Sequence, residues 1–216
     1  FSFINQIADL CESTGGNVLE VSKAMGLDKR IGSKFLNAGP GFGGSCFPKD
    51  VKAFSSTANK HNIDFSIIDS ANRYNQQRPK QMVNRVLKKF NYDVSNIKIA
   101  ILGLSFKPNT DDIRDSTSLV IANSLRSEGA FINAYDPQAM KNAKEIYPEL
   151  NYCNSVIETC NGVDAILITT EWDEFKNLNL QKIKDNMKKR IIFDFRNQYN
   201  QEDLIKLNFE YYGIGK

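Results

Sequence analysis

The chain has 216 residues, of which 41% are hydrophobic and 25% charged, and a formal net charge of +3. That is enough apolar material for the core of one large or two small domains, and the basic residues are dispersed among acids, which gives nucleic acid no footprint. No window has the apolar length to cross a bilayer, and the four cysteines (Cys11, Cys46, Cys153, Cys160) with the single histidine, His61, make no zinc-ligand pairing; a reducing, cytoplasmic setting is expected.

The chain opens without a methionine, already inside an amphipathic pattern of Ile4, Ile7, Ala8 and Cys11, as expected of a piece of a longer protein. This first helix should run to about Ser13 and end at Gly15-Gly16, with Cys11 on its apolar face. A second should start at Asn17 as cap, continue through Val18, Leu19, Val21 and Met25, and stop at Gly26. Next comes the stretch Gly39-Pro40-Gly41-Phe42-Gly43-Gly44-Ser45-Cys46-Phe47-Pro48-Lys49-Asp50. Its glycines let the backbone turn through positive φ and approach a ligand closely. Pro48 suits a first helical position, so Cys46 should sit at or just before a helix N-terminus with Lys49 one turn on, an environment that favours thiolate. Gly39, Gly41 and Gly44 satisfy G-x-G-x-x-G, but the dinucleotide fingerprint needs an apolar strand before it, and Arg30 to Ala38 is not one.

From Pro48 a helix is predicted through Val51, Phe54 and Ala58 to about Lys60, with His61 at its polar end. Asp64 can cap a longer one through Ile67, Ile68 and Ala71, broken or kinked around Pro79 and continuing through Met82, Val83, Val86 and Leu87. No strand pattern appears in residues 1–92, which read as a helical domain.

The texture changes near Asn91-Tyr92-Asp93. Lys98–Leu104, Ala130–Tyr135, Asp164–Thr169 and Arg190–Asp194 read as short strands, separated by helical candidates at Ser116–Ser127, Pro137–Tyr147, Ser155–Cys160 and Leu180–Met187. The expected fold class is therefore α/β: a helical segment followed, over residues 93–216, by a doubly wound, mainly parallel, Rossmann-like sheet, whose ligand crevice lies at the carboxyl ends of the strands. Ser105-Phe106-Lys107, Thr170-Glu171-Trp172 and Phe195-Arg196-Asn197 fall at those ends. Asp136 ends the second strand, where the acid that holds an NAD ribose would stand, but Gly103-Leu104-Ser105 lacks the preceding phosphate fingerprint. Trp172 reads as packing or as a neighbour of the ligand, and Lys188-Lys189-Arg190 as a solvated helix end.

Cys46 and Asp50 form the sharpest chemical pair. Four residues apart at a helix start, they can face one cleft as nucleophile and water-handling base. An acid in a first helical turn also stabilises the helix against its dipole, and spacing leaves both readings of Asp50 open.

In the segments Phe35–Asp50, Gly103–Ser116, Thr170–Trp172 and Asp194–Asn197 the chain resembles the UDP-glucose 6-dehydrogenases of the wider nucleotide-sugar dehydrogenase group, and the likeness extends over essentially its whole length. Ser45-Cys46-Phe47 resembles the UDP-glucose type of loop rather than the His-Cys-Ile-Pro or Cys-Leu types. The resemblance implies oxidation of the sugar C6 alcohol to the carboxylate of UDP-glucuronate with two NAD⁺. Cys46 would form a thiohemiacetal and then a thioester, and Asp50 would assist the water that releases the acid. It also implies that Phe35, Leu36, Asn37, Gly39, Gly41, Phe42 and Gly43 line the sugar and pyrophosphate, with backbone N–H groups meeting phosphate oxygens as in a nest. Arg30 would reach the substrate of a neighbouring subunit, and Phe106 and Lys107 would hold the UDP-sugar, with Arg196 a further substrate candidate. Cys46, Phe47, Pro48, Lys49 and Arg114 would meet the NAD cofactor. Read without the resemblance, Phe106 is packing, Lys107 a solvated charge and Arg114 half of a surface ion pair.

The same resemblance implies a homodimer through the helical half and a UDP-binding rather than NAD-binding sheet. It further implies an NAD-binding domain ahead of Phe1, together with a lysine and an asparagine that stabilise oxyanions and position water. The chain alone is then expected to bind nucleotide weakly and not to turn over. Two other readings stand beside it: a non-catalytic nucleotide-sugar binding or dimerisation module, and a family member acting on another nucleotide sugar. A flavodoxin-like receiver is disfavoured, because the first strand lacks an acidic pair at its end.

Overall fold

Burial parity along the strands decides the architecture. In the computed structural model, which describes residues 1–216, Ile99 and Ile101 pack into one core while Ala100 and Leu102, between and beside them, pack into another. A strand buried on both faces needs helices on both faces, and that is the doubly wound plan.

Four helices come first: α1 (Ser2–Thr14), α2 (Val18–Gly26), α3 (Phe47–Lys60) and α4 (Ser66–Lys89), with no strand among them. Gly15, at φ 76°, closes α1 in the left-handed region, and the Asn17 side chain accepts the Leu19 N–H at the start of α2. Two expectations for α4 need correction. Asp64 is not its cap; Phe65 holds that position, and Asp64 Oδ1 accepts the Ser66 N–H at 2.9 Å from just outside the helix. The helix also runs unbroken through Pro79. Proline removes the bond that would reach the Asn75 carbonyl, yet Asn75, Arg78, Pro79, Met82 and Val83 are all buried, so packing holds the turn that the missing bond would otherwise loosen.

The sheet contains β1 (Lys98–Leu102), β2 (Phe131–Tyr135), β3 (Asn151–Tyr152), β4 (Ala165–Ile168), β5 (Ile191–Asp194) and β6 (Glu210–Tyr212) in the order β3-β2-β1-β4-β5-β6. Every neighbouring pair is parallel. Helices α5 (Thr117–Ser127) and α6 (Met140–Ile146) cover one face; α7 (Val156–Thr159), α8 (Asp173–Lys176), α9 (Leu180–Asn186) and α10 (Gln201–Lys206) cover the other. The strands β3 and β6 and the helices α8 and α10 were not expected, because two to six residues are too few for a period to show. Lys188 and Lys189 are not a helix end either. They follow α9 and stand 3.7 and 3.8 Å from the buried Asp164 Oδ1, which as a desolvated carboxylate favours cations nearby.

The helices α1, α2 and α4 share a core with the sheet. Ile4, Ala8, Val18, Met82, Val83, Val86 and Leu87 belong to the same apolar cluster as Ile99, Ile101, Leu167 and Phe193. The tail locks this arrangement: the Val18 N–H donates to the Gly215 carbonyl (2.8 Å), and the Gly215 N–H donates to Glu12 Oε1 (2.7 Å).

The carboxyl ends of the central strands are gathered by Asp136, only 1% exposed. Its Oδ2 accepts from Leu104 N (2.7 Å), Ser105 N (3.0 Å), Ser105 Oγ (3.1 Å) and Trp172 Nε1 (3.1 Å). Its Oδ1 accepts from Gln138 N (2.9 Å) and Ala139 N (2.8 Å). Trp172 is thus a packing residue with a polar anchor. Replacing Asp136 by alanine strands several buried donors at once, and denaturant unfolding should show a loss of roughly 3–5 kcal/mol. A loss under about 1 kcal/mol would mean that water replaces the carboxylate, and that Asp136 does not hold the strand ends together.

Candidate active site

The glycine-rich segment bridges the helical elements and the sheet, and both sides grip it. From α1, Asn5 Oδ1 accepts the Gly39 N–H (2.8 Å); from α4, Arg78 Nε donates to the Gly39 carbonyl (3.1 Å). Three residues on, the Asn75 amide pairs with both backbone groups of Phe42, each bond 2.9 Å long. Arg78 is fully buried, and its Nη1 is shared by Asp9, Tyr74 and Gln81. The Tyr74 hydroxyl also donates to Asp9, and burial followed by that bond pushes its pKa up. On the sheet side, the Gly44 N–H donates to the Arg114 carbonyl (2.9 Å). The Asp115 carbonyl lies so close to Gly43 that a Cβ there would stand 2.2 Å from its oxygen. Only glycine fits that contact.

Sequence reasoning missed Asn5, Asn75 and Arg78. The available signal was polar residues on the buried stripe of amphipathic helices: Asn75 and Arg78 sit in register with Met82, and Asn5 lies beside Ile4 and Ala8.

Above the loop opens a cleft of about 340 Å³. Ten of the expected site residues line it: Phe35, Asn37, Gly39, Gly41, Phe42, Gly43, Phe47, Phe106, Lys107 and Arg196; Phe1, Asn5 and Glu171 join them. One wall is aromatic. Phe1 meets Phe35 edge-on with centroids 5.2 Å apart, and Phe42 meets Phe47 at 4.7 Å, while Phe35 stays 64% exposed. The lining also carries Lys107 and Arg196. Arg196 Nε donates to the Thr169 carbonyl (2.8 Å) and stands 3.0 Å from Glu171 Oε2. Burial pulls the Arg196 pKa down, and the charges of Glu171 and Asp194 oppose that shift.

Other expected residues lie elsewhere. The Leu36 side chain does not line the cleft; it is 8% exposed and turned into the core, because its neighbours Phe35 and Asn37 take the opposite side. Ser22 Oγ donates to its carbonyl at 2.7 Å. Arg30 stands away from the cleft in the turn after α2, 89% exposed, and forks onto Asp28. Pro48 is buried under the start of α3 and lines a separate cavity of about 200 Å³ beneath Phe42. Arg114 is exposed and forks onto Asp112 through Nε (3.0 Å) and Nη2 (2.8 Å). That bond holds the Asp112 carboxyl below its usual range and raises Arg114, to which the Cys46 sulfur adds the smallest contribution.

Cys46 occupies the N-cap of α3, with Phe47 and Pro48 opening the helix. The Asp50 N–H donates to its carbonyl at 2.8 Å, and the Ser45 hydroxyl stands 3.6 Å from its sulfur. Cys46, Lys49 and Asp50 are exposed and do not themselves line the cleft; Cys46 adjoins Phe47, which does. The sheet itself does not fit a dinucleotide. The crevice between β1 and β4 would take one, but α5 does not begin until Thr117, so no helix N-terminus follows β1 directly, and Asp136 is already saturated by protein donors. Cys46, Phe47, Lys49 and Arg114 are exposed.

Cys46 is also the single exposed thiol. Burial raises Cys153 and pushes Cys160 up to about 12, and Cys11 is packed in the core. Iodoacetamide at neutral pH should therefore label Cys46 in the native protein and leave the other three untouched, as peptide mass spectrometry would register. Comparable labelling of Cys153 or Cys160 would contradict the packing of β3 and α7.

Comparison with known proteins accounts for both the loop and the sheet. Residues 1–77 match the central domain of the UDP-glucose/GDP-mannose dehydrogenase family, and residues 100–201 match that family's UDP binding domain. Over 216 residues the chain is 46% identical to a protein of Rickettsia conorii named UDP-glucose 6-dehydrogenase, aligning 99% of this chain with 50% of that one. A protein of the same name from Rhizobium meliloti is 43% identical, with 100% and 49% covered. The structure titled a UDP-glucose dehydrogenase from the archaeon Pyrobaculum islandicum superposes with a TM-score of 0.87 at 29% identity, over 99% of this chain and 47% of that one. The chain spans about half the length of the curated relatives it matches. With both of its segments matched in order by models of one family, the chain belongs to the UDP-glucose/GDP-mannose dehydrogenase family.

Proposed function

We propose that this chain is the nucleophile-bearing and UDP-binding part of an NAD-dependent UDP-glucose 6-dehydrogenase, divided into a helical domain over residues 1–92 and a nucleotide domain over 93–216. One observation carries the reading: the only exposed thiol stands at the head of a helix, next in sequence to Phe47, which lines a cleft of aromatic rings, two cations and glycine backbone. A nucleoside diphosphate sugar is apolar on its ring faces and anionic in its middle. Phe35, Phe42 and Phe106 suit the former, and Lys107, Arg196 and the loop N–H groups the latter.

When bound, NAD⁺ supplies the hydride acceptor, and this chain would bring the exposed residues Cys46, Phe47, Lys49 and Arg114 towards it. The part of Cys46 is to form a bond from Sγ to the C6 aldehyde carbon, whose oxygen takes up a proton. The resulting thiohemiacetal again carries a hydroxyl and a hydrogen on C6, so the second oxidation resembles the first. That oxidation leaves a thioester, which water opens, and the sulfur departs as thiolate. Asp50, one helical turn from Cys46, takes the proton of that water. The helix N-terminus favours negative charge on sulfur both when it attacks and when it leaves.

A homodimer through the helical half belongs to the same reading and is supported by Leu27, Phe54, Ile63 and Ile67, which stay between 58% and 83% exposed. Arg30, free of its own chain's cleft, would then serve the partner. Free thiols throughout support a reducing, cytoplasmic setting, and no helix is long and apolar enough to cross a membrane.

In the full-length protein, Cys46→Ser should abolish UDP-glucuronate formation while leaving UDP affinity within about twofold. Asp50→Asn should slow acid release by roughly 10²–10⁴ and let a sugar thioester accumulate on Cys46, visible by intact-protein mass spectrometry. Unmodified protein that binds UDP but yields no acid would favour the non-catalytic module. Acid formation by the serine variant would remove Cys46 from the chemistry.

A further inference from the structure

One group in the cleft has the wrong sign for an anionic ligand. Lys107 and Arg196 suit a diphosphate, but Glu171 lines the same cleft, and its carboxylate would repel one. Its Oε2 is buried and receives no hydrogen bond. It lies 3.0 Å from Arg196 Nε, whose hydrogen is already donated to the Thr169 carbonyl at 2.8 Å, so Glu171 acts on the guanidinium by charge from a second direction. Nη1 and Nη2 of Arg196 donate to no protein acceptor, although the side chain is only 16% exposed. Nη1 lies against Gly39, where a Cβ would stand 3.2 Å from it; the absence of a side chain there keeps the space clear. An arginine with one nitrogen anchored, its charge compensated from the side and two nitrogens unspent beside a ligand cleft is set up to present a fork.

We propose that Glu171 is a positioning residue: it fixes the Arg196 guanidinium so that Nη1 and Nη2 face the diphosphate oxygens of the ligand. The proposal rests on the nucleotide-sugar reading above. It makes a prediction opposite in sign to simple charge counting. Neutralising Glu171 removes a negative charge from an anion site, which by Coulomb's law alone should tighten binding. If Glu171 orients the arginine, binding should weaken instead.

The test is calorimetric titration of UDP into the full-length protein, as wild type, Glu171→Gln, Arg196→Gln and the double variant, with a thermal melt of each. Glu171→Gln should weaken UDP binding about tenfold, whereas the same change in the Arg196→Gln background should have no effect or tighten binding. Unchanged or tighter binding in Glu171→Gln alone, or an equal loss in both backgrounds, overturns the role. Should the glutamine variant fail to fold, Glu171→Asp keeps the charge but shortens the reach, and it must show the same loss; wild-type affinity there overturns the role equally. A wild-type protein that does not bind UDP at all would sink the nucleotide-sugar reading itself, and this inference with it.

Discussion

Everything at the site depends on one short peptide segment being held from two sides at once. The backbone from Gly39 to Gly44 has no regular hydrogen-bonding partner of its own, so its polar groups must be satisfied by side chains and neighbouring loops. Asn5, Asn75 and Arg78 do this from the helices, and the Arg114 carbonyl does it from the sheet side. Such a grip works only if the two halves are rigid with respect to each other. The common core of α1, α2, α4 and one sheet face supplies that rigidity. Cys46 follows the gripped segment directly and inherits its position, which is how a residue outside the strands can be firmly placed.

Asp136 shows how a doubly wound sheet can be kept while its usual ligand is refused. In a dinucleotide domain the acid at the end of the second strand waits for ribose hydroxyls. Here the same position is filled by six donors from the chain, so the crevice edge is stitched closed and the open volume shifts toward Phe106, Lys107 and Arg196. The polarity of the fold, with ligands at the carboxyl ends of the strands, survives this change. The occupant does not.

Much of this was legible in the sequence, for identifiable reasons. The strands β1, β2, β4 and β5 are short unbroken apolar runs between turn residues, and the helices of the first half carry clear stripes and caps. The loop announced itself because glycine density and a proline after a cysteine have few structural uses. The Leu36 side chain turns into the core; adjacency in a motif says nothing about which side of the backbone a residue takes. Asn5, Asn75 and Arg78 escaped because their significance comes only from what folding brings against them, Gly39 and Phe42 being distant in sequence, and the segment Thr170-Glu171-Trp172 was placed at a strand end without the Arg196 contact that gives Glu171 its role. At Pro79 the helix does not break, because burial of the surrounding turn holds it where one hydrogen bond is lost.

The tie between Val18 and Gly215, with Ala8 packed beneath the same glycine, has a kinetic side. These contacts join residues almost the whole chain apart, so the loop closure that completes the core around α1 is about the most expensive in entropy that this chain can make. During synthesis, α1 and α2 are made well before the segment around Gly215, and they cannot finish packing until that segment follows. The face of α1 and α2 that meets Gly215 therefore stays unfinished until the tail docks.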